Sequence, residues 1–258
     1  MEGPRIEFRE VRKSFRMRNR SDALRDAVHR GIARMFGRPS EPPKRHVALD
    51  GVSFRVAAGE ALGVVGPNGA GKSTTLKLAA GVLRPDSGEV GVAGRVAALI
   101  ELSAGFHPDL SGRENIFLGG ALLGLRRQEI RAVLPRIAGF ADLGEYFESP
   151  VRTYSSGMAV RLGFAVAAFV PAEVLLVDEV LAVGDINFRV KCMDRMAERR
   201  REGVSTLFVS HHLDAVESFC DRAVFIDHGR IHAEGPPPEV VAAYRESQRA
   251  RAAARPPG

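Results

Sequence analysis

Apolar positions recur along this chain with different periods, and the periods divide it. Near the N-terminus they alternate with polar ones: Ile6, Phe8 and, less regularly, Val11, then Val52, Phe54 and Val56. That spacing predicts strands with one buried face. Short unbroken apolar runs follow at 61–65 (ALGVV), 96–100, 173–177 (EVLLV), 206–210 (TLFVS) and 223–226 (AVFI), the mark of buried strands. Between 103 and 169 the character turns helical, punctuated by glycine, with 126–139 and 158–169 as the clearest helices. A helical block inside an α/β chain predicts an inserted subdomain. The stretch RPDSGEVGVAGR, from Arg84, reads as turn-rich, and 223–226 with 230–233 as a closing hairpin. Gly235 and the three prolines after it break the chain; a short helix over 239–244 and a disordered tail of about ten residues end it.

Composition narrows the class. At 45% apolar and 26% charged, the chain has the balance of a soluble globular protein, and its 258 residues suffice for a large core. No apolar run approaches the roughly 18 residues needed to span a bilayer, and the N-terminus lacks an apolar signal core. Cys192 and Cys220 have no metal-like or disulfide-like spacing and read as free thiols in a reducing cytosol. The net charge of +6 is modest, but residues 12–45 hold eleven Lys/Arg against three acids. Within 16–46, Leu24, Val28, Ile32, Met35 and Phe36 recur at helical spacing beside Arg25, Arg30 and Arg34. This predicts a basic amphipathic helix, suited to a membrane surface, to packing on its own domain, or to nucleic acid.

The chemistry centres on Gly66-Pro67-Asn68-Gly69-Ala70-Gly71-Lys72-Ser73-Thr74, which fits G-x-x-x-x-G-K-[ST] between a predicted strand and a predicted helix. The glycines let the backbone wind tightly and turn its N–H groups inward at a helix N-terminus, a cradle for phosphate oxygens. Lys72 would reach the β- and γ-phosphates, and the Ser73 hydroxyl would ligate Mg²⁺. The chain therefore binds a nucleoside triphosphate. Asp178 and Glu179 close the strand 173–177. Asp178 would hold Mg²⁺ and Glu179 would polarise the attacking water, with neighbouring strand residues facing opposite ways. His211, after the strand 206–210, would hydrogen-bond the γ-phosphate or the water; His212 is given no role. Phe15 would either stack on adenine or close a core at a strand end.

Tyr154-Ser155-Ser156-Gly157-Met158 stands between the helical block and Asp178-Glu179, where ATP-binding-cassette (ABC) ATPases carry their signature. With GPNGAGKST, LLVDE, Ala182-Val183-Gly184-Asp185 and VSHH, the chain resembles that family from Ile6 to about Tyr244. ALIELSAGFHPDLSGRENIFLGG, YSSGMAVRLGFAVA and LLVDEVLAVGDINFRVKC look like the ATPase subunit of bacterial polysaccharide exporters, as does the basic insertion before the first strand pair. The resemblance implies one domain over 1–258: an α/β core at 1–102 and 170–235, a basic insertion at 16–46, a helical signature subdomain at 103–169, and a C-terminal helix and tail at 236–258. It implies a homodimer sandwiching two ATP, each site pairing one chain's phosphate loop with the other chain's Ser155 and Gly157, and it counts Ser156 and Asp185 among the nucleotide-binding residues. It further implies an integral-membrane permease carrying lipid-linked polysaccharide, a place on the cytoplasmic face of the membrane, and no nucleic-acid partner. Two departures stand out. Ser156 and Met158 replace the usual Gly and Gln, a variant the polysaccharide subgroup shows. The Gln that usually ends the strand before the helical block is missing; Glu101 is the nearest polar candidate, as a further metal contact, while an ungapped match puts Leu102 there.

Overall fold

The computed structural model describes residues 3–16, 45–99, 105–178 and 186–253. The fold is built on two sheets. The first is antiparallel, ordered β2-β1-β4, from β1 (Ile6–Arg16), β2 (Arg45–Val56) and β4 (Ser87–Val92). The second has the order β5-β6-β7-β3-β8-β9, from β3 (Ala61–Val65), β5 (Val96–Leu99), β6 (Val174–Val177), β7 (Ser205–Val209), β8 (Arg222–Asp227) and β9 (Arg230–Gly235). All its neighbours are parallel except the closing β8–β9 hairpin. Helix α1 (Lys72–Ala79) follows β3. Between β5 and β6 lie α2 (Gly112–Leu122), α3 (Arg127–Ala141), two short 3₁₀ turns and α4 (Ser156–Phe169). Helices α5 (Ile186–Arg201), α6 (Leu213–Phe219) and α7 (Pro237–Ala253) complete the fold.

The continuous apolar strands are explained by burial on both sides, with side chains alternating between two cores. Leu62, Val64, Val174, Leu176, Leu207 and Val209 face the antiparallel sheet and α1, where Phe8 stacks on Phe54 at 4.5 Å. Ala61, Val65, Leu175, Val177 and Phe208 face the helices instead. Gly63 sits on that second face because α6 leaves no room there: a Cβ would lie 2.7 Å from Val216 Cγ1 and 3.1 Å from Cys220 Sγ. Both cysteines are buried free thiols, and desolvation pushes each up to about 12.

Helix α5 anchors the helical block through a basic stripe spaced four residues apart. Lys191 Nζ donates to Phe140 O at 3.0 Å, and Arg195 Nε to Ala168 O at 3.2 Å. Arg199 Nη2 reaches Val170 O and Ala172 O at 3.1 and 3.0 Å. The last carbonyls of a helix have no intrahelical donor and carry partial negative charge, so cations there satisfy both needs. Glu202 bridges both arginines, at 2.9 and 3.0 Å, and offsets their burial.

Three expectations are corrected. The turn-rich stretch contains β4, because pairing with β1 (Ile6 with Val92, Phe8 with Val90) overrides its turn residues. The basic insertion lies between β1 and β2 rather than before them, since Arg16 pairs with Arg45 and Phe15 with His46. Arg16, Arg45 and His46 are thus strand residues, and 17–44, with the predicted amphipathic helix, lie outside the described residues. The C-terminal helix spans 237–253, not 239–244. Proline opens a helix readily because first-turn N–H groups have no intrahelical acceptor, and the Ala, Arg, Gln and Glu beyond Tyr244 are helix formers. Among the described residues no helix is long and apolar enough to cross a membrane.

Candidate functional site

The loop 66–71 joins β3, central in the large sheet, to α1, so it emerges at the C-terminal edge of parallel strands, where α/β sheets bind ligands. Its glycines serve different ends. At Gly66 a Cβ would meet Ile226 O at 2.1 Å, and at Gly71 it would meet Ala48 O at 2.4 Å, so neighbouring backbone closes on both. Gly69 has open space and needs only its φ of 79°. Gly71 caps α1 with φ 110°, and the first-turn N–H groups of the helix face the loop without acidic side chains among them. Thr75 Oγ1 donates back to Gly71 O at 3.1 Å. Lys72 is buried, its Nζ donating to Gly66 O at 2.7 Å and Pro67 O at 2.9 Å. The cation is thereby held within the loop, where it would meet the negative charge of a bound phosphate.

The loop forms one wall of a cleft of about 230 Å³, through Asn68, Gly69, Gly71, Lys72, Ser73 and Thr74. Phe15, His46, Ala48, Val209 and Asp178 line the rest. Phe15 is 39% exposed and therefore belongs to the cleft, not to the core. It pairs directly with His46 across β1 and β2, and opposed residues share one face of a sheet. The end of β1 that carries Phe15 is pinned by Asp86, which accepts from Lys13 Nζ at 2.9 Å and from Ser14 N and Oγ at 2.8 Å each. These donors, Lys13 first, hold the Asp86 carboxyl down at about 2. Lys13 Nζ also lies 5.7 Å from the Phe15 ring centre.

Ser73 and half-buried Asp178 face the same cleft, a hydroxyl and a carboxylate of the hard-oxygen kind that suits Mg²⁺. Gly66, Pro67 and Ala70 shape the loop from behind, through carbonyls and packing. His211 is exposed beyond the end of β7, its ring 4.0 Å from that of His212, and is not among the residues lining the cleft. Ser155 caps α4, its side chain accepting from Met158 N at 3.2 Å, with Ser156 and Gly157 in the first turn. These three are likewise not part of the cleft. Glu101, Glu179 and Asp185 lie outside the described residues. Sequence reasoning missed His46, Ala48 and Val209 as cleft residues. Only the β1–β2 register, which places His46 opposite Phe15, would have found the first.

Residues 49–182 match the ABC transporter family. Over 204 residues the chain is 48% identical to an O-antigen export system ATP-binding protein RfbB of Klebsiella pneumoniae, covering 79% of this chain and 83% of that one. It is 42% identical over 241 residues to a teichoic acids export ATP-binding protein TagH of Bacillus cereus, covering 93% of this chain but only 42% of that relative. Among solved structures it superposes on the dimeric post-hydrolysis state of the ATP-binding cassette MJ0796 bound to ADP and Pi, with a TM-score of 0.71 at 19% identity, covering 90% of this chain and 98% of that one.

Proposed function

The chain belongs to the ABC transporter family of ATPases, and from that premise we propose that it is the ATP-hydrolysing subunit of an exporter of lipid-linked polysaccharide, of the O-antigen or teichoic-acid kind. The observation that carries the ATPase part is the single cleft shared by the phosphate loop, Ser73, Asp178 and Phe15. The substrate class rests on the named relatives. In this reading the chain is a single ATPase domain, a homodimer at the cytoplasmic face of the membrane, working with a separate integral-membrane permease.

Each residue has a role in the reading. The N–H groups of the loop and of the first turn of α1 bind phosphate oxygens, and Lys72 shares its ammonium with the β- and γ-phosphates. Phe15 offers its exposed face to the adenine. Mg²⁺, held by Ser73 and Asp178, would neutralise charge on the transferring phosphoryl group. Glu179 takes a proton from the attacking water, and His211 orients the γ-phosphate or that water. Ser155 and Gly157 of a second copy close the site from the other side, with Ser156 and Asp185 at the seam. Closure follows because each nucleotide bridges two chains, and hydrolysis removes the bridge.

The test is capture of tagged Glu179→Gln from gently solubilised membranes with MgATP. Glu179→Gln removes the base while leaving ATP binding, so the closed state accumulates. A polytopic membrane protein encoded beside glycosyltransferases should come with it. A permease that also holds a solute-binding protein would overturn the export assignment, and nucleic acid or ribosomes in place of a membrane protein would overturn the transporter assignment.

A further inference from the structure

The turn joining β8 to β9 does not line the cleft, yet its backbone reaches the phosphate loop. Asp227 and Arg230 pair across it, leaving His228 and Gly229 as a two-residue hairpin loop. Both have positive φ, 45° and 73°, the geometry whose twist matches the flanking strands. In such a turn the fourth residue's N–H closes the loop's own bond, and the third residue's N–H is left to point outward. Here the Gly229 N–H donates to Ala70 O, inside the phosphate loop, at 3.1 Å. A trans peptide is planar, with its C=O and N–H on opposite sides. The Ala70–Gly71 peptide is trans, so drawing Ala70 O toward the turn aims the Gly71 N–H away from it. Gly71 lines the cleft.

The turn is itself gripped, mainly by Asp50 of β2. The Asp50 N–H donates to Gly229 O at 2.8 Å. One carboxylate oxygen, Oδ2, accepts from both Arg230 Nε at 3.0 Å and Nη2 at 2.5 Å, so the fork of the guanidinium closes on a single acceptor. Arg12 of β1 adds a second cation at 3.4 Å. Gly229 fits tightly under β2, since a Cβ there would lie 2.8 Å from Ala48 O. On the other side of the turn, buried Asp227 is ion-paired with Arg251 of α7.

We propose that the Asp50–Arg230 pair is a positioning element for triphosphate binding: by holding the His228–Gly229 turn, it sets the orientation of the Ala70–Gly71 peptide and the N–H offered to a phosphate oxygen. The inference rests on the reading of the loop as a nucleotide site. Neither Asp50 nor Arg230 lines the cleft, so the pair acts through the turn without touching the nucleotide.

Equilibrium titration of the full chain with MgATP, and separately with adenosine, tests it on the wild type, Asp50→Asn, Arg230→Gln and the double variant. Each single change should weaken MgATP by about fivefold, the low end of measured coupling between separated sites. The double should also lose about fivefold, because both residues lie on one path and their effects do not add. Adenosine, which has no phosphate to meet the loop, should bind all four proteins alike. Single variants within about twofold of wild type would overturn the proposal. So would a double variant weakened by about 25-fold, as for independent residues, or an equal loss of adenosine, which would mean a loosened site. Arg230→Lys keeps the charge but loses the fork, and its MgATP affinity should fall between wild type and Arg230→Gln; it carries the test if Asp50→Asn does not fold. A wild type that binds no MgATP would sink the nucleotide reading and this proposal with it, whereas tight wild-type binding with indifferent variants would sink this proposal alone.

Discussion

Three glycines of one loop illustrate how a residue type conceals several physical demands. Gly69 needs only a backbone conformation that side chains avoid, whereas Gly71 needs that and an empty space 2.4 Å from Ala48 O. Gly69→Ala should therefore cost about 1 kcal/mol, the usual strain of a left-handed residue. Gly71→Ala should cost roughly 3 kcal/mol or more, because backbone on the neighbouring strand would have to move as well. Urea denaturation of the two variants in the absence of nucleotide measures the difference; equal midpoints would refute the packing of Gly71 under β2. The motif was plain in the sequence, since chain-local geometry is written in chain-local residues. The reason for each glycine was not, because Ala48 and Ile226 arrive from distant strands. Phe15 shows the same limit: its two readings were separable only once the register set it in the cleft beside His46.

Among the elements, the buried strands were legible because a run of apolar residues bounded by turns has few other uses. Strand β4 and the full length of α7 were not legible. The first is a weak strand made by its partner, and the second begins at prolines that equally well mark a break. Helix α5 carries information that no motif displayed. Arg195 is 4% exposed, lies over the Phe169 ring at 4.4 Å and donates to Ala168 O at the end of the helix that Ser155 caps. Arg195→Ala should cost about 3 kcal/mol, since it strands a helix-end carbonyl, leaves Glu202 with one cation fewer and uncovers an aromatic ring. The change in denaturant midpoint at constant slope gives that number. A loss under about 0.5 kcal/mol, the scale of an ordinary surface change, would make the basic stripe incidental.

At the scale of the whole molecule, the described residues proposed for one reaction do not all share one cleft. Phosphate loop, Ser73 and Asp178 share a cleft, while the α4 N-terminus with Ser155 and Gly157 is elsewhere. In the proposed dimer, a second copy supplies what the first lacks. Glu179→Gln should then run at twice the mass of one chain in MgATP on gel filtration. Adding Ser155→Arg should return it to the mass of one chain while MgATP still binds; loss of binding together with the dimer would place Ser155 in its own chain's site. By itself, the sequence determined the α/β class, the phosphate loop, the carboxylate at the end of β6 and the helical block, because each depends on periodicity or spacing within a short segment. Tertiary structure alone decided which residues wall the cleft, how α5 holds α4, and how a turn about 160 residues downstream reaches the loop. These are contacts between segments far apart in the chain, formed by register and packing, and no local pattern of residues encodes them.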